Sequence, residues 1–454
     1  MIPLTLRRIA QAVGGTVHGT VGQGPVVTGP VVIDSREVAA GALFTAIVGE
    51  RSDGHEFAGR AYASGACAVL GSRPVDGPCV VVDDVVAALT ALAALVRNEL
   101  DPIVIGLTGS VGKTTTKDLL AQILEREGAT VATAGSYNNE IGLPLTILRA
   151  DRRTRYLVLE MGAMNAGDIT HLARVARPSL GLVLNVGPAH LPTFGGIEGV
   201  AEAKSELVRA LPPDGMAVLN ADDGAVAAMA GATLAGVMFY GRDAAVSARD
   251  VKVDLAAHPA FTLRTPSGEA QVRLGLPGEH QVANALAAAA VADALGVPAD
   301  RIAAGLGLAT VRSKRRFQPT ERPDGVTVID DAYNANPVSM RAALRTLSAM
   351  SAGRRTIAVL GEMTGQAAET ASHHAGIGRL TGELDIDILV VVGTGEGPDA
   401  LAKAARQAGV FTHALPERGD AIELLETLLR PKDLVLLKAS SEVALSTVAT
   451  ALTA

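Results

Sequence analysis

One stretch restricts the folds open to this chain more than any other: Ile103-Val104-Ile105-Gly106-Leu107-Thr108-Gly109-Ser110-Val111-Gly112-Lys113-Thr114-Thr115. A β-branched run gives way to glycines, and Lys-Thr then opens a helical pattern. A strand that passes into a helix through so short a loop belongs in a layered α/β fold with a parallel sheet. The same residues carry chemistry. Glycines let backbone N–H groups converge on phosphate oxygens, and the helix adds its positive end. Lys113 then reaches the outer phosphates, and the Thr114 hydroxyl suits magnesium. Gly109, Ser110, Val111, Gly112, Lys113, Thr114 and Thr115 are therefore expected to hold the phosphates of a nucleotide. The common phosphate-loop rule places glycine six residues before the lysine, where this chain has Leu107; its glycine, Gly106, stands seven before. That spacing points away from ordinary kinases and GTPases.

Short β-branched runs alternate with Ala/Leu-rich helical patterns along nearly the whole chain, which predicts α/β layers with mostly parallel sheets. A length of 454 residues leaves room for about three domains. Pro102 disfavours helix in the residue before it, so a first, small α/β domain is expected over 1–100. A central ATPase-like domain then runs over 101–311, with strands at 156–159, 182–186 and 216–219 and helices from Lys113, Asp168, Val200 and His280. After the aperiodic segment 310–316 a fresh strand-helix series predicts a Rossmann-like domain over 312–454.

Composition excludes several classes. The net charge is −7 with Lys and Arg scattered, which argues against a nucleic-acid duplex or an anionic membrane as main partner. No run of about 18 apolar residues occurs, so no membrane insertion is expected and the chain reads as soluble and cytoplasmic. Cys67 and Cys79 sit among Ala and Val and read as reduced thiols.

Ligands to parallel sheets collect beyond the C-terminal ends of the strands. Glu160 ends a buried strand pattern and His190 follows a strand end, so both are candidates for holding magnesium; a capping or ion-paired Glu and an ordinary loop His are the alternatives. From spacing alone Lys204 is a solvated lysine on an amphipathic helix. Asn284, early in an Ala-rich helix, offers an adenine edge both a donor and an acceptor. Lys314-Arg315-Arg316 is either a solvated linker or a hinge that swings a cation onto the γ-phosphate.

The pattern Gly-x-Thr-Gly-x-x-Gly-Lys-Thr-Thr resembles the loop of the Mur ligases, and the likeness extends further. Asp34-Ser35-Arg36 and Gly49-Glu50-Arg51-Ser52-Asp53-Gly54-His55 are similar to the N-terminal domain with which that family holds UDP. Asn138-Asn139-Glu140-Ile141-Gly142 is similar to its substrate-side loop. Asp330-Asp331-Ala332-Tyr333-Asn334-Ala335-Asn336-Pro337 has the form of the branch that takes D-alanyl-D-alanine. The resemblance implies an ATP- and magnesium-dependent ligase that adds this dipeptide to UDP-N-acetylmuramoyl-tripeptide through an acyl phosphate, giving a peptidoglycan precursor. It also implies catalysis by Lys113, Glu160, His190 and a carbamylated Lys204, the last three joining Thr114 on magnesium. Asn284, Arg316 and Asp331 fall to the nucleotide. Ser35, Arg36, Arg51, Asp53, His55, Asn138, Asn139, Asn334 and Asn336 fall to the other substrates, in a chain expected to be a monomer. Ligases adding a single amino acid, folylpolyglutamate synthases and a non-catalytic nucleotide binder are the alternatives. Gln281 stands where the family usually has Asn, Met164-Asn165 where it has Asn-His, and Ser441 where it has Arg; the last implies altered acceptor recognition.

Overall fold

The structure, a computed structural model, describes residues 1–188, 191–365 and 369–454. In the first domain β1 (Thr16–His18), β2 (Val31–Val32), β3 (Ala42–Thr45), β4 (Ala66–Gly71) and β5 (Cys79–Val81) lie in the order β1-β5-β4-β3-β2. All neighbours are parallel except β1 with β5. Helix α1 (Val85–Leu100) starts where the Asp84 carboxylate accepts from the Val86 and Ala87 amides, satisfying two donors that a helix start leaves unpaired. Its Leu89, Leu92, Ala93 and Val96 are fully buried and recur at helical spacing. They join an apolar cluster that continues into the central domain through Val104, Leu143, Leu157 and Leu207.

The central sheet contains β6 (Ile103–Thr108), β7 (Thr130–Ala132), β8 (Tyr156–Glu160), β9 (Leu180–Val183), β10 (Met216–Asn220) and β11 (Gly236–Tyr240). They are parallel throughout, in the order β11-β10-β9-β6-β8-β7. Residues 156–160 and 180–183 are buried without a break, as strands covered on both faces must be. Helices α2 (Lys113–Leu124), α3 (Asp168–Ala176) and α4 (Ile197–Arg209) link the strands. The chain leaves β6 for one side of the sheet and later returns to its other side as β9. Loops after β8, β6 and β9 therefore meet at one reversal of strand order, the place where ligands enter such sheets.

A three-stranded antiparallel sheet, β12 (Ser247–Val253), β13 (Pro259–Thr265) and β14 (Gly268–Arg273), follows. The sequence pattern does not predict it. Helices α5 (Gln281–Ala294) and α6 (Ala299–Gly307) close the domain, α5 against α2. The third domain holds β15 (Gln318–Glu321), β16 (Thr327–Asp330), β17 (Thr356–Leu360), β18 (Ile388–Val392), β19 (Phe411–Leu415) and β20 (Leu434–Lys438), in the order β15-β16-β20-β17-β18-β19. Only β15 is antiparallel to its neighbour. Helix α7 (Pro337–Ala349) follows β16.

Two limits differ from the sequence reading by three residues, the others by no more than two. Strand β9 ends at Val183 rather than 186, because after the Leu184 amide bonds the Thr108 carbonyl the chain turns toward the phosphate loop. Helix α4 begins at Ile197 rather than Val200, directly after Gly195-Gly196. No helix among the described residues is long and apolar enough to cross a membrane.

Candidate active site

The loop after β6 is shaped by what surrounds it. Gly112 has φ +84°, and a Cβ there would stand 2.4 Å from Asn284 Oδ1, so both conformation and space demand glycine. Lys113 Nζ donates to the Gly109 carbonyl at 2.7 Å, folding the side chain back over the loop. Burial pushes its amine below the ordinary lysine range; Glu160 opposes that shift and Arg316 adds to it. The amides of Ser110 and Val111 do not face into the cradle: both donate to Asn185 Oδ1, at 3.0 and 2.9 Å. Asn284 has its amide committed locally, with Nδ2 donating to Gln281 Oε1 at 2.7 Å and Oδ1 accepting from Thr116 at 3.3 Å.

On the neighbouring strand Glu160 is 1% exposed. Its amide donates to Thr133 Oγ1 at 3.0 Å, and its Oε1 accepts from Asn138 Nδ2 at 2.7 Å. Its Oε2 is buried with no partner. A desolvated carboxylate oxygen left in this state costs stability unless a cation completes it, so the position fits a divalent ion beside the Thr114 hydroxyl. No group of three His, Cys, Asp or Glu stands ready for a metal among the described residues; the donors are hydroxyl and carboxylate, a set that suits magnesium. Lys204 lies on the buried face of α4, not in solvent as spacing alone predicts. Burial, and secondarily the charge of Lys113, lowers its amine to about 7. His190 lies outside the described residues.

The third domain reaches this site through the hinge. On α2, Gln122 exchanges two hydrogen bonds with the Thr310 backbone at 3.0 and 3.1 Å. Asp118 accepts from the Ser313 amide at 3.2 Å and pairs with the buried Lys117, while Glu125 holds Arg312. These positions recur at i, i+4 and i+7, one face of the helix that begins at the phosphate loop. Beyond the pinned segment Arg315 and Phe317 both adopt left-handed backbone, φ +61° and +53°. Between them Arg316 Nη2 donates to Thr114 Oγ1 at 3.0 Å and Ser136 Oγ at 3.1 Å. Its guanidinium stacks 4.0 Å from the Tyr333 ring centre.

Residues 30–97, 107–292 and 315–441 match, in that order, the Mur ligase family catalytic domain, the Mur ligase middle domain and the Mur ligase glutamate ligase domain. The chain belongs to the Mur ligase family. It is 46% identical to the UDP-N-acetylmuramoyl-tripeptide–D-alanyl-D-alanine ligase of Mycobacterium tuberculosis, over all of this chain and 98% of that protein. The same-named ligase of Escherichia coli is 38% identical over 87% of this chain and 86% of that protein. MurF from Acinetobacter baumannii superposes with a TM-score of 0.86 at 33% identity, covering 99% of both chains. MurF from Thermotoga maritima, solved in complex with ADP, gives 0.79 at 28% identity over 94% of this chain and 97% of that one.

Elsewhere in this Mur ligase many expected site residues are bonded to their own domain. Ser35 is buried in a 3-10 turn capped by Asp34, which also pairs with the exposed Arg36 at 2.9 Å. Arg51 is exposed. Buried His55 receives the Ser72 amide at Nε2 (2.9 Å) and its Nδ1 bonds Asp53 at 2.6 Å; Arg73 holds the other Asp53 oxygen. Asn139 accepts from the Gly142 amide at 2.9 Å. In the third domain Asp331 Oδ1 accepts from the Phe317 amide at 3.0 Å, and Oδ2 pairs with Lys438 at 2.7 Å. Asn334 gives its carbonyl to the same ammonium at 3.0 Å. Asn336 forms a capping box with Ser339 at the start of α7. Ser441 is exposed and donates to Glu442.

Thr133, Ser136, Asn185, Asp118 and Gln122 all shape the site, and no motif reading singles them out. The available signal is weak: polar residues interrupting otherwise apolar patterns, such as Asp118 and Gln122 on the buried side of α2.

Proposed function

We propose that this chain joins D-alanyl-D-alanine to the terminal carboxylate of UDP-N-acetylmuramoyl-tripeptide, with ATP as the source of drive and an acyl phosphate between the two halves of the reaction. The observation that carries this reading is the meeting of the Lys113 loop, the Thr114 hydroxyl and the uncompensated Glu160 carboxylate at adjoining strand ends. They lie in a chain 46% identical along its whole length to a ligase of that name. The proposed domain limits are 1–100, 101–311 and 312–454, with the donor, the nucleotide and the dipeptide entering from different domains.

A carboxylate is a poor electrophile, so it must first become a better leaving-group bearer. The donor carboxylate oxygen attacks the γ-phosphorus, the bond to ADP breaks, and an acyl phosphate forms. The dipeptide amine then attacks the acyl carbon, phosphate departs, and the amine proton is released. Lys113 and the first-turn amides of α2 stabilise charge on the transferring phosphoryl group. Arg316, which donates to the Thr114 hydroxyl, would add a second cation at the same centre. Thr114, Glu160, His190 and Lys204 as its carbamate would hold magnesium. When bound, that ion neutralises phosphate charge and polarises the transferred group. Carbamylation needs an unprotonated amine, and burial beside Lys113, which lowers the Lys204 amine to about 7, favours that form.

The test is phosphate release with UDP-muramoyl tripeptides ending in diaminopimelate, lysine or ornithine, with and without D-alanyl-D-alanine. Release should require both donor and dipeptide, and the product mass should equal their sum less water. D-Ala-D-Ser and D-Ala-D-lactate in the same assay read the effect of Ser441. Nucleotide consumption that ignores the dipeptide overturns the assignment.

A further inference from the structure

We propose that Asn185 is a positioning residue that holds the phosphate loop in its nucleotide-binding shape before nucleotide arrives; the inference rests on the nucleotide reading above. Asn185 stands just beyond β9, beside the loop that leaves β6. Its Oδ1 accepts from the Ser110 amide at 3.0 Å and the Val111 amide at 2.9 Å, and its Nδ2 donates to the Val111 carbonyl at 3.0 Å. Its own carbonyl accepts from the Ser110 amide at 3.1 Å. One turn on, the Ser110 hydroxyl donates to the Gly187 carbonyl at 3.1 Å and accepts from the Gly187 amide at 2.9 Å. Two segments from neighbouring strands are thus clasped side chain to backbone in both directions.

The clasp is itself anchored. Asn220, ending β10, donates to the Leu184 carbonyl at 2.8 Å, and Asp223 accepts from the Val186 amide at 2.8 Å. A chain of contacts therefore runs from β10 through residues 184–187 to Ser110 and Val111. Only an asparagine of this reach meets the demand, because the loop needs an acceptor for two amides and a donor for one carbonyl. Aspartate loses the donor and adds negative charge beside phosphates; leucine leaves the Val111 amide and carbonyl unpaired and the Ser110 amide with the backbone carbonyl of residue 185 alone.

The consequence concerns which donors remain. With the Ser110 and Val111 amides turned to Asn185, the groups left for phosphate are those of the first turn of α2, which have no partner within the helix. Fixing the glycine-rich segment beforehand moves its ordering cost from binding to folding.

The experiment uses the full chain and ADP as probe. Asn185→Ala should raise the Kd for ADP, by titration calorimetry, and the KM for ATP about tenfold, the scale of one to two lost hydrogen bonds. The KM for D-alanyl-D-alanine should stay where it is, which a merely structural role does not predict. Ser110→Ala removes the other half of the clasp with little change of volume and should raise the Kd about threefold. In nucleotide-free protein, amide exchange at Ser110 and Val111 should accelerate in Asn185→Ala. ADP affinity within twofold of the parent in both variants overturns the inference while leaving the ligase reading intact. A parent that binds no ADP overturns both.

Discussion

The phosphate end of the central sheet and the motif loop of the third domain are both assembled at strand ends, yet they treat their polar groups in opposite ways. In the central domain Glu160 Oε2 is buried without a partner, and burial disfavours the charged forms of Lys113 and Lys204. In the third domain Asp331 commits one oxygen to the Phe317 amide and the other to Lys438. Lys438 adds the carbonyls of Asp331 and Asn334, Asn336 closes a helix start, and Ser440 accepts from the Thr364 amide. Leaving a buried polar group unmatched costs folding energy, and matching it restores that energy. The first region is therefore built for ligands that complete it. The second is built to hold its own shape, and through Asp331 and Phe317 to hold the segment that presents Arg316.

The sharpest way to break this contrast is Lys113→Ala. Losing a preorganised cation aimed at developing charge should lower dipeptide-dependent phosphate release by a hundredfold to a thousandfold, about 3–4 kcal/mol of transition-state stabilisation. Stability should hold or rise, because a lysine whose amine is lowered by burial opposes folding wherever its unfolded form is protonated. Turnover within tenfold of the parent, or a clear fall in melting temperature, removes Lys113 from the ligand-facing class.

Lys438→Met should show the reverse pattern. It strips Asp331 of its ammonium and leaves two carbonyls short of a donor. Breaking one partner of such a buried pair costs about 3 kcal/mol. Urea unfolding, with hydrogen exchange along β16 and β20 to localise the loss, measures this. Turnover of the folded fraction at saturating substrates should change far less than in Lys113→Ala. If activity is lost while those strands keep their protection, Lys438 faces a ligand and the comparison fails on that side.

The same contrast governs what is legible in the sequence. The parallel strands are readable because unbroken apolar runs such as Leu157-Val158-Leu159 and Leu434-Val435-Leu436-Leu437 need cover on both faces. The phosphate loop is readable because its chemistry is compressed into adjacent residues. The antiparallel sheet at 247–273 is not, since β12 is mostly exposed and its polar sequence carries little periodicity. Pairings made by tertiary structure are hidden too: Asp331 and Lys438 lie 107 residues apart in the chain, and Asn334, which shares that ammonium, lies 104 residues from it. Lys204 is the clearest case. Its helix reads as amphipathic with the lysine in water, whereas packing against the sheet places it on the buried face.

The smallest effect tests the finest part of the distinction. Asn336 is expected from the family pattern to touch substrate, yet its side chain accepts from the Ser339 amide at 2.9 Å while Ser339 Oγ accepts from the Asn336 amide at 3.1 Å. Pro337 occupies the first helical position, where its missing N–H costs nothing. A residue so placed contributes by satisfying orphan donors, so Asn336→Ala should cost about 1 kcal/mol of stability and Asn336→Ser or Asn336→Asp much less. The KM for the dipeptide separates the two roles. If the cap is the whole function, Asn336→Asp keeps both stability and KM. If the amide also meets the acceptor, stability survives the exchange and KM rises, and the third domain then has one ligand-facing group within its architectural loop.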